Sequence, residues 1–276
     1  MIFDLDPVRV PRCGSEIVSA VMGHTHAVCG MAVGAVALPL VPHDRMAGQL
    51  AWVACCGGMA LLPDLDHHSS TVTRMWGPLS RALGVVVCWL GRGHRGGTHD
   101  FVVAPLFWAL LVFLAGLNQW TLMAVLALAV GLALRACHFV IPGQYEKSWP
   151  INLLVSAGAG WWLVRNGAAA DASWLPFAAM VGVLVHIGAD ALTVGSIPKP
   201  FSWLDGRPNR MGSGPLTTGR WYEHVLALAM VVVTFAGLYA HVPRVTALVD
   251  RISGSVATTI GAAGPVGTRA AAPEVW

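Results

Sequence analysis

Charge is what this sequence has least of. Only 11% of its 276 residues are Asp, Glu, Lys or Arg, against roughly 25% in ordinary soluble domains. So few charges cannot cover a globule in water. With 55% hydrophobic residues and a mean hydropathy of +0.63, the chain belongs in a lipid bilayer. The net charge of +3 is too small to indicate a nucleic-acid partner. HExxH, GxSxG and P-loop motifs are all missing, so the hydrolase and nucleotide-binding readings tied to them have no support. The six cysteines (Cys13, Cys29, Cys55, Cys56, Cys88, Cys137) contain no CxxC pair and mostly lie in apolar runs. They read as small core residues, not as a disulfide framework or a zinc ribbon.

What the chain does have is apolar runs. They cover roughly residues 24–41, 47–62, 101–117, 119–135, 151–164, 174–193 and 222–242. An eleven-residue run at 81–91 is about half the ~20 needed to cross the hydrocarbon. It is expected as a re-entrant or interfacial helix. The fold class is therefore all-α, a polytopic membrane helical bundle of about seven transmembrane helices plus that short one. Residues 1–22 read as a polar N-terminal segment, 23–242 as the membrane-embedded domain, and 243–276 as a poorly ordered Ala/Gly/Thr-rich tail. Threading the spans alternately puts twelve of the seventeen basic residues on the side of the N-terminus and of the loops 63–100, 135–150 and 194–221. By the positive-inside rule that side is cytoplasmic.

One stretch organises the rest: Leu61-Leu62-Pro63-Asp64-Leu65-Asp66-His67-His68. Two carboxylates and two imidazoles within five residues suit a divalent cation such as zinc or manganese. Asp64, Asp66 and His67 are expected near metal, with His68 outside them as a proton carrier. His186 and Asp190 stand at i and i+4, on one helix face, and can share an ion. His24 and His26, at i and i+2, point apart on a regular helix, so one ligand is expected from the two. His94 and His99 bracket Arg95 and two glycines. The glycines allow close backbone approach to an anion, and Arg95 can clamp a phosphate or carboxylate. All these residues fall beside the same face of the threaded bundle. Glu223-His224, Arg135 and His138 are weaker candidates there, and His43 and His241 fall on the far side.

Eight candidate ligands exceed the four of one closed site. One or two divalent ions are expected, and two roughly 3.5–4 Å apart would use the ligands better and suit ester or phosphoester hydrolysis. In that scheme Asp66 or His68 is the general base and Arg95 holds the anionic group. The rivals are a transporter of ions or small molecules, with the same residues spread through the membrane, and a metal-binding protein without turnover.

Gly23-His24-Thr25-His26, Leu62-Pro63-Asp64-Leu65-Asp66-His67, His94-Arg95-Gly96-Gly97-Thr98-His99 and His186-x3-Asp190-Ala191-Leu192-Thr193 occur here in one order. The chain in this respect resembles the YdjM-like family of inner-membrane proteins assigned as metal-dependent hydrolases. The resemblance runs from residue 23 to about residue 203, including Pro200-Phe201-Ser202. It implies a membrane-embedded metal site built from His24, Asp64, Asp66, His67, His94, His99, His186 and Asp190. The family's assignment rests partly on a distant similarity to zinc-dependent phospholipases C, which also use an HxxxD pair. The family's substrate is unassigned, and a phospholipid or other ester is the expectation here. Asp100 stands where the family often carries a small hydroxyl residue.

Overall fold

The structure is a computed structural model that describes residues 23–41, 45–138, 148–168, 172–205, 209–212, 214–217 and 219–262. The N-terminal segment 1–22, His43 and the last residues 263–276 lie outside these. Among the described residues ten α-helices follow one another: α1 (Gly23–Val36), α2 (Met46–Met59), α3 (Thr71–Met75), α4 (Pro78–Leu90) and α5 (Val103–Gly116). Then come α6 (Gln119–Ala136), α7 (Trp149–Arg165), α8 (Leu175–Ala191), α9 (Trp221–His241) and α10 (Pro243–Ala262). A two-residue strand pair, Ile197–Pro198 with Arg210–Met211, is the whole of the sheet among the described residues.

Three segments are long and apolar enough to cross a membrane: Met46–Asp66, Gln119–Ala136 and Trp221–His241. The helices α4, α5 and α8 are apolar but shorter. With 14 residues, α1 rises only about 21 Å at 1.5 Å per residue. Among the described residues, three of the seven expected crossings meet the length and composition of a span. Pro243–Ala262 is a helix, where the sequence suggested an unordered tail. Leu248, Ile252 and Val256 recur along one side of it at spacings of four, so it is amphipathic.

The bundle is organised around α2, which packs on α1, α6 and α8. Lipid offers no hydrophobic drive between helices, so close backbone approach through small residues has to hold them. Gly58 is such a point: a Cβ there would sit 1.7 Å from the Ala129 carbonyl oxygen of α6. Gly182 is the other: a Cβ on it would lie 2.6 Å from the Cys56 carbonyl oxygen. These approaches seat α8 against the end of α2, and His186 follows Gly182 by one helical turn. Cys29, Cys55, Cys56 and Cys137 are free thiols. Cys88, read from the sequence as a simple core residue, is disulfide-bonded.

Candidate metal centre

The turn Pro63–Asp66 is a single 3-10 turn with Pro63 in its first positions, directly continuing α2. It carries Asp64 and Asp66 past the end of the apolar helix. Three further elements bring side chains to it: the start of α1, the loop 91–100 before α5, and the last turn of α8. Sequence-distant acids and imidazoles thereby meet at one end of the bundle.

His99 and His186 form the centre. Their Nε2 atoms are 3.2 Å apart, and both residues are fully buried. The Nδ1 of His186 lies 2.7 Å from the carbonyl oxygen of Ala60. A carbonyl only accepts, so His186 carries its proton on Nδ1 and turns the Nε2 lone pair inward. The Nδ1 of His99 lies 3.5 Å from Asp66 Oδ2 and 3.1 Å from Thr98 Oγ1. A proton there meets the carboxylate, and again Nε2 is left bare. Around these two atoms stand Asp64 Oδ1, 3.8 Å from His186 and 3.9 Å from His99, and Asp190 Oδ2, 3.6 and 3.5 Å from the same nitrogens. Donors about 2.0–2.1 Å from a shared ion are spaced by roughly 3.3 Å when tetrahedral.

His26 completes the group from α1. Its ring stacks on His186 with centroids 3.9 Å apart, and its Nε2 lies 3.7 Å from Asp190 Oδ1. Neither ring nitrogen of His26 has a hydrogen-bond partner, nor does Asp190 Oδ1, although all are buried; Asp190 Oδ2 is met by Arg95. Orphaned polar atoms this deep are rare, and a cation among them resolves the anomaly. Two triads have ligand atoms near enough for an ion: His26, His186 and Asp190, and Asp64, His99 and His186.

The remaining expected ligands stand outside. Both oxygens of Asp66 are taken: Oδ1 is 2.7 Å from His94 Nδ1, while Oδ2 accepts from the Arg95 backbone N–H at 3.1 Å and from the Thr98 hydroxyl. Asp66 therefore holds the 94–99 loop and orients His99 rather than facing the centre. His94 is partnered by that carboxylate. Burial disfavours its charged form, but the hydrogen bond and the charges of Asp66 and Asp64 outweigh this and raise its pKa above 6.5. His67, at the rim, is lowered instead by burial and by neighbouring His94. His68 is exposed, its ring 5.1 Å from that of His67. His24 faces away from the cluster toward α9, its ring stacked over His224 at 6.2 Å. The i, i+2 geometry thus separates the two α1 histidines, and His26 is the one brought in.

Arg95 departs furthest from expectation. It is 1% exposed, with Nη2 2.8 Å from Asp190 Oδ2 and Nη1 donating to the Ser196 carbonyl at 3.2 Å. A guanidinium sealed against an internal carboxylate is not free to clamp a substrate. Its backbone takes a left-handed φ of 56°, uncommon for a residue with a Cβ and fixed here by the bond to Asp66. The loop glycines serve packing, not anion approach: a Cβ on Gly96 would lie 2.1 Å from the Gly91 carbonyl oxygen, and Gly97 lies beneath the Trp203 ring. Sequence reasoning missed Asp100. Fully buried, it caps α5 through the Val102 and Val103 N–H groups and accepts from Phe201 N at 2.6 Å and Trp203 Nε1 at 3.0 Å. An acid directly before an apolar run, where it can cap the helix that follows, is the signal that could have exposed this clasp.

Compared with known protein families, residues 21–257 match the one described as YdjM inner membrane protein. The chain belongs to that family. No curated protein and no solved structure matches it. Membership in an inner-membrane protein family agrees with the apolar helices, and this chain carries a buried His/Asp cluster that could hold a metal.

Proposed function

We propose that the chain is a membrane-bound, metal-dependent hydrolase of a phosphoester or ester, with a lipid as substrate, its site facing the cytoplasm. The observation that carries this reading is the confrontation of two bare Nε2 atoms at 3.2 Å between two carboxylates. Two bare nitrogen lone pairs and the Asp64 carboxylate converge there, beside an Asp190 already paired with Arg95, a donor set that suits a cation. The same multi-pass threading that gathers the ligands puts the arginine-rich loops on their side, which supports the cytoplasmic orientation.

The site takes one ion. Both triads need His186, whose Nδ1 is committed to Ala60, so both use the same Nε2. One lone pair serves one ion, and the pair of ions expected from ligand number gives way to a single zinc or manganese. His99 and His186 would hold it with Asp64 or Asp190, and His26 lies within reach of the latter. When bound, such an ion supplies Lewis-acid polarisation of a phosphoryl or acyl oxygen and an acidified water.

The chain's own residues divide the rest. Asp64, with 15% of its side chain exposed, marks the side from which substrate arrives. Asp66 is a positioning residue, acting through His99 and His94. His68, exposed beside the turn, is the group placed to carry a proton to or from solvent. Arg95 neutralises Asp190, standing where a second cation would otherwise be required. A transporter would spread its ionisable groups through the membrane depth, whereas these sit at one end of the bundle. The test is turnover of phospholipid and nitrophenyl-ester panels by purified protein with zinc or manganese. Metal-dependent release that vanishes in His99→Ala but survives in His24→Ala is expected. No release from any panel, with metal bound, would leave a binder and overturn the enzyme reading.

A further inference from the structure

Beside the Pro63–Asp66 turn, α3 and α4 enclose a cavity of about 480 Å³. We propose that it binds the phosphate of an anionic lipid through Arg74 and Arg81. This deepens the hydrolase reading above and rests on it for what happens to the lipid, though not for its binding.

The cavity shares a wall with the metal turn itself. Gly84 lets α4 ride on that turn, for a Cβ there would sit 2.8 Å from the Leu65 carbonyl oxygen. Asp66, His68, Thr73, Arg74 and Arg81 line the space. Both arginines are exposed, and neither has an acidic partner among the described residues. The one carboxylate in the lining, Asp66, already has both oxygens engaged by His94, Arg95 and Thr98. Two guanidinium charges thus face one carboxylate whose oxygens are already taken, and the cavity keeps a positive excess. Two planar guanidinium forks and an imidazole match the several oxygens of a phosphate.

That the phosphate belongs to a lipid follows from α4. Its 13 residues reach only about 20 Å, too short to cross the hydrocarbon. Ser80, Gly84, Val87 and Cys88 are packed inward. Leu79, Leu83, Val86 and Leu90 form an exposed stripe at i, i+4, i+7 and i+11, with Trp89 64% exposed beside them. A helix apolar on its outer side and carrying an arginine lies in the interface, with its cation at headgroup level. Arg81 and the stripe share that helix, so chain and phosphate of one lipid can be met together.

The experiment is native mass spectrometry of the full chain in detergent, titrated with phosphatidylglycerol or neutral diacylglycerol, with calorimetry of glycerol phosphate alongside. Phosphatidylglycerol should bind more tightly than either, and Arg74→Gln/Arg81→Gln should weaken it by on the order of tenfold. Equal affinity in the double variant and the native chain would overturn the proposal. Glycerol phosphate binding as tightly as phosphatidylglycerol would overturn its lipid part. Repeating the titration on His186→Ala separates the two readings. Arginine-dependent lipid binding that persists without metal leaves this site standing whatever becomes of the hydrolase.

Discussion

His99 and His186 present their Nε2 atoms to each other at 3.2 Å, each with its other nitrogen turned toward an acceptor. The tautomers are set from outside the pair, by the Ala60 carbonyl and the Asp66 carboxylate. Imidazoles held this way could hold an ion, since second partners of this kind fix both the ring and its basicity.

If Asp66 orients rather than ligates, Asp66→Asn and His99→Ala will differ in kind. The asparagine variant keeps the ligands and should lose about 10–100-fold in metal affinity, the range for outer partners. His99→Ala should lose the ion outright. Competition with a chromogenic chelator reads both. Equal losses would return Asp66 to the ligand set. His24→Ala, whose ring lies over His224, should bind as the native chain does.

Arg95 and Asp190 form a buried ion pair at 2.8 Å. Removing one partner of such a pair is destabilising by about 3–5 kcal/mol, so metal-free Arg95→Gln should unfold markedly earlier in detergent. Adding Asp190→Asn should recover much of the loss, because the orphaned charge is gone. Strictly additive effects would mean the two residues do not depend on each other.

The two approaches that seat α8 and α6 on α2 were not legible as such, because glycine in a hydrophobic run carries no label. What the sequence made plain was the turn 63–68 and the spacing of His186 and Asp190, where helix geometry alone puts two ligands on one face. It also showed that one of His24 and His26 must point away, though not which. The role of Arg95 could not be read, since its partner is remote in sequence and a basic residue in a glycine-rich loop looks solvent-facing. Three spans meet the length and hydropathy of a crossing among the described residues, because α1, α4, α5 and α8 fall short of the length required.

Gly58 should tolerate no side chain. With the Ala129 carbonyl oxygen 1.7 Å from the position of a Cβ, Gly58→Val should lower stability by more than about 4 kcal/mol. Gly116→Val meets nothing within 4 Å and should stay within about 0.5 kcal/mol. Thermal unfolding of the two variants, side by side, checks it. Similar melting would show that α2 and α6 are not in this contact.

The His94–Asp66 bond carries a pH signature. The folded pKa of His94 is raised above 6.5. Its contribution to stability is therefore fully present below pH 6.5 and is lost as pH rises through the raised value. In chelator, the melting difference between the native chain and His94→Gln should be larger at pH 6 than at pH 9. A difference independent of pH would show that the imidazole is not held in its charged form.

The central claim is one ion held jointly by residues far apart in sequence. Elemental analysis of protein purified in the membrane mimetic, native beside His186→Ala, tests it directly. One zinc or manganese per native chain and less than about a tenth of that in the variant is the result predicted from the shared Nε2. Equal metal in both, or two ions per native chain, would contradict it.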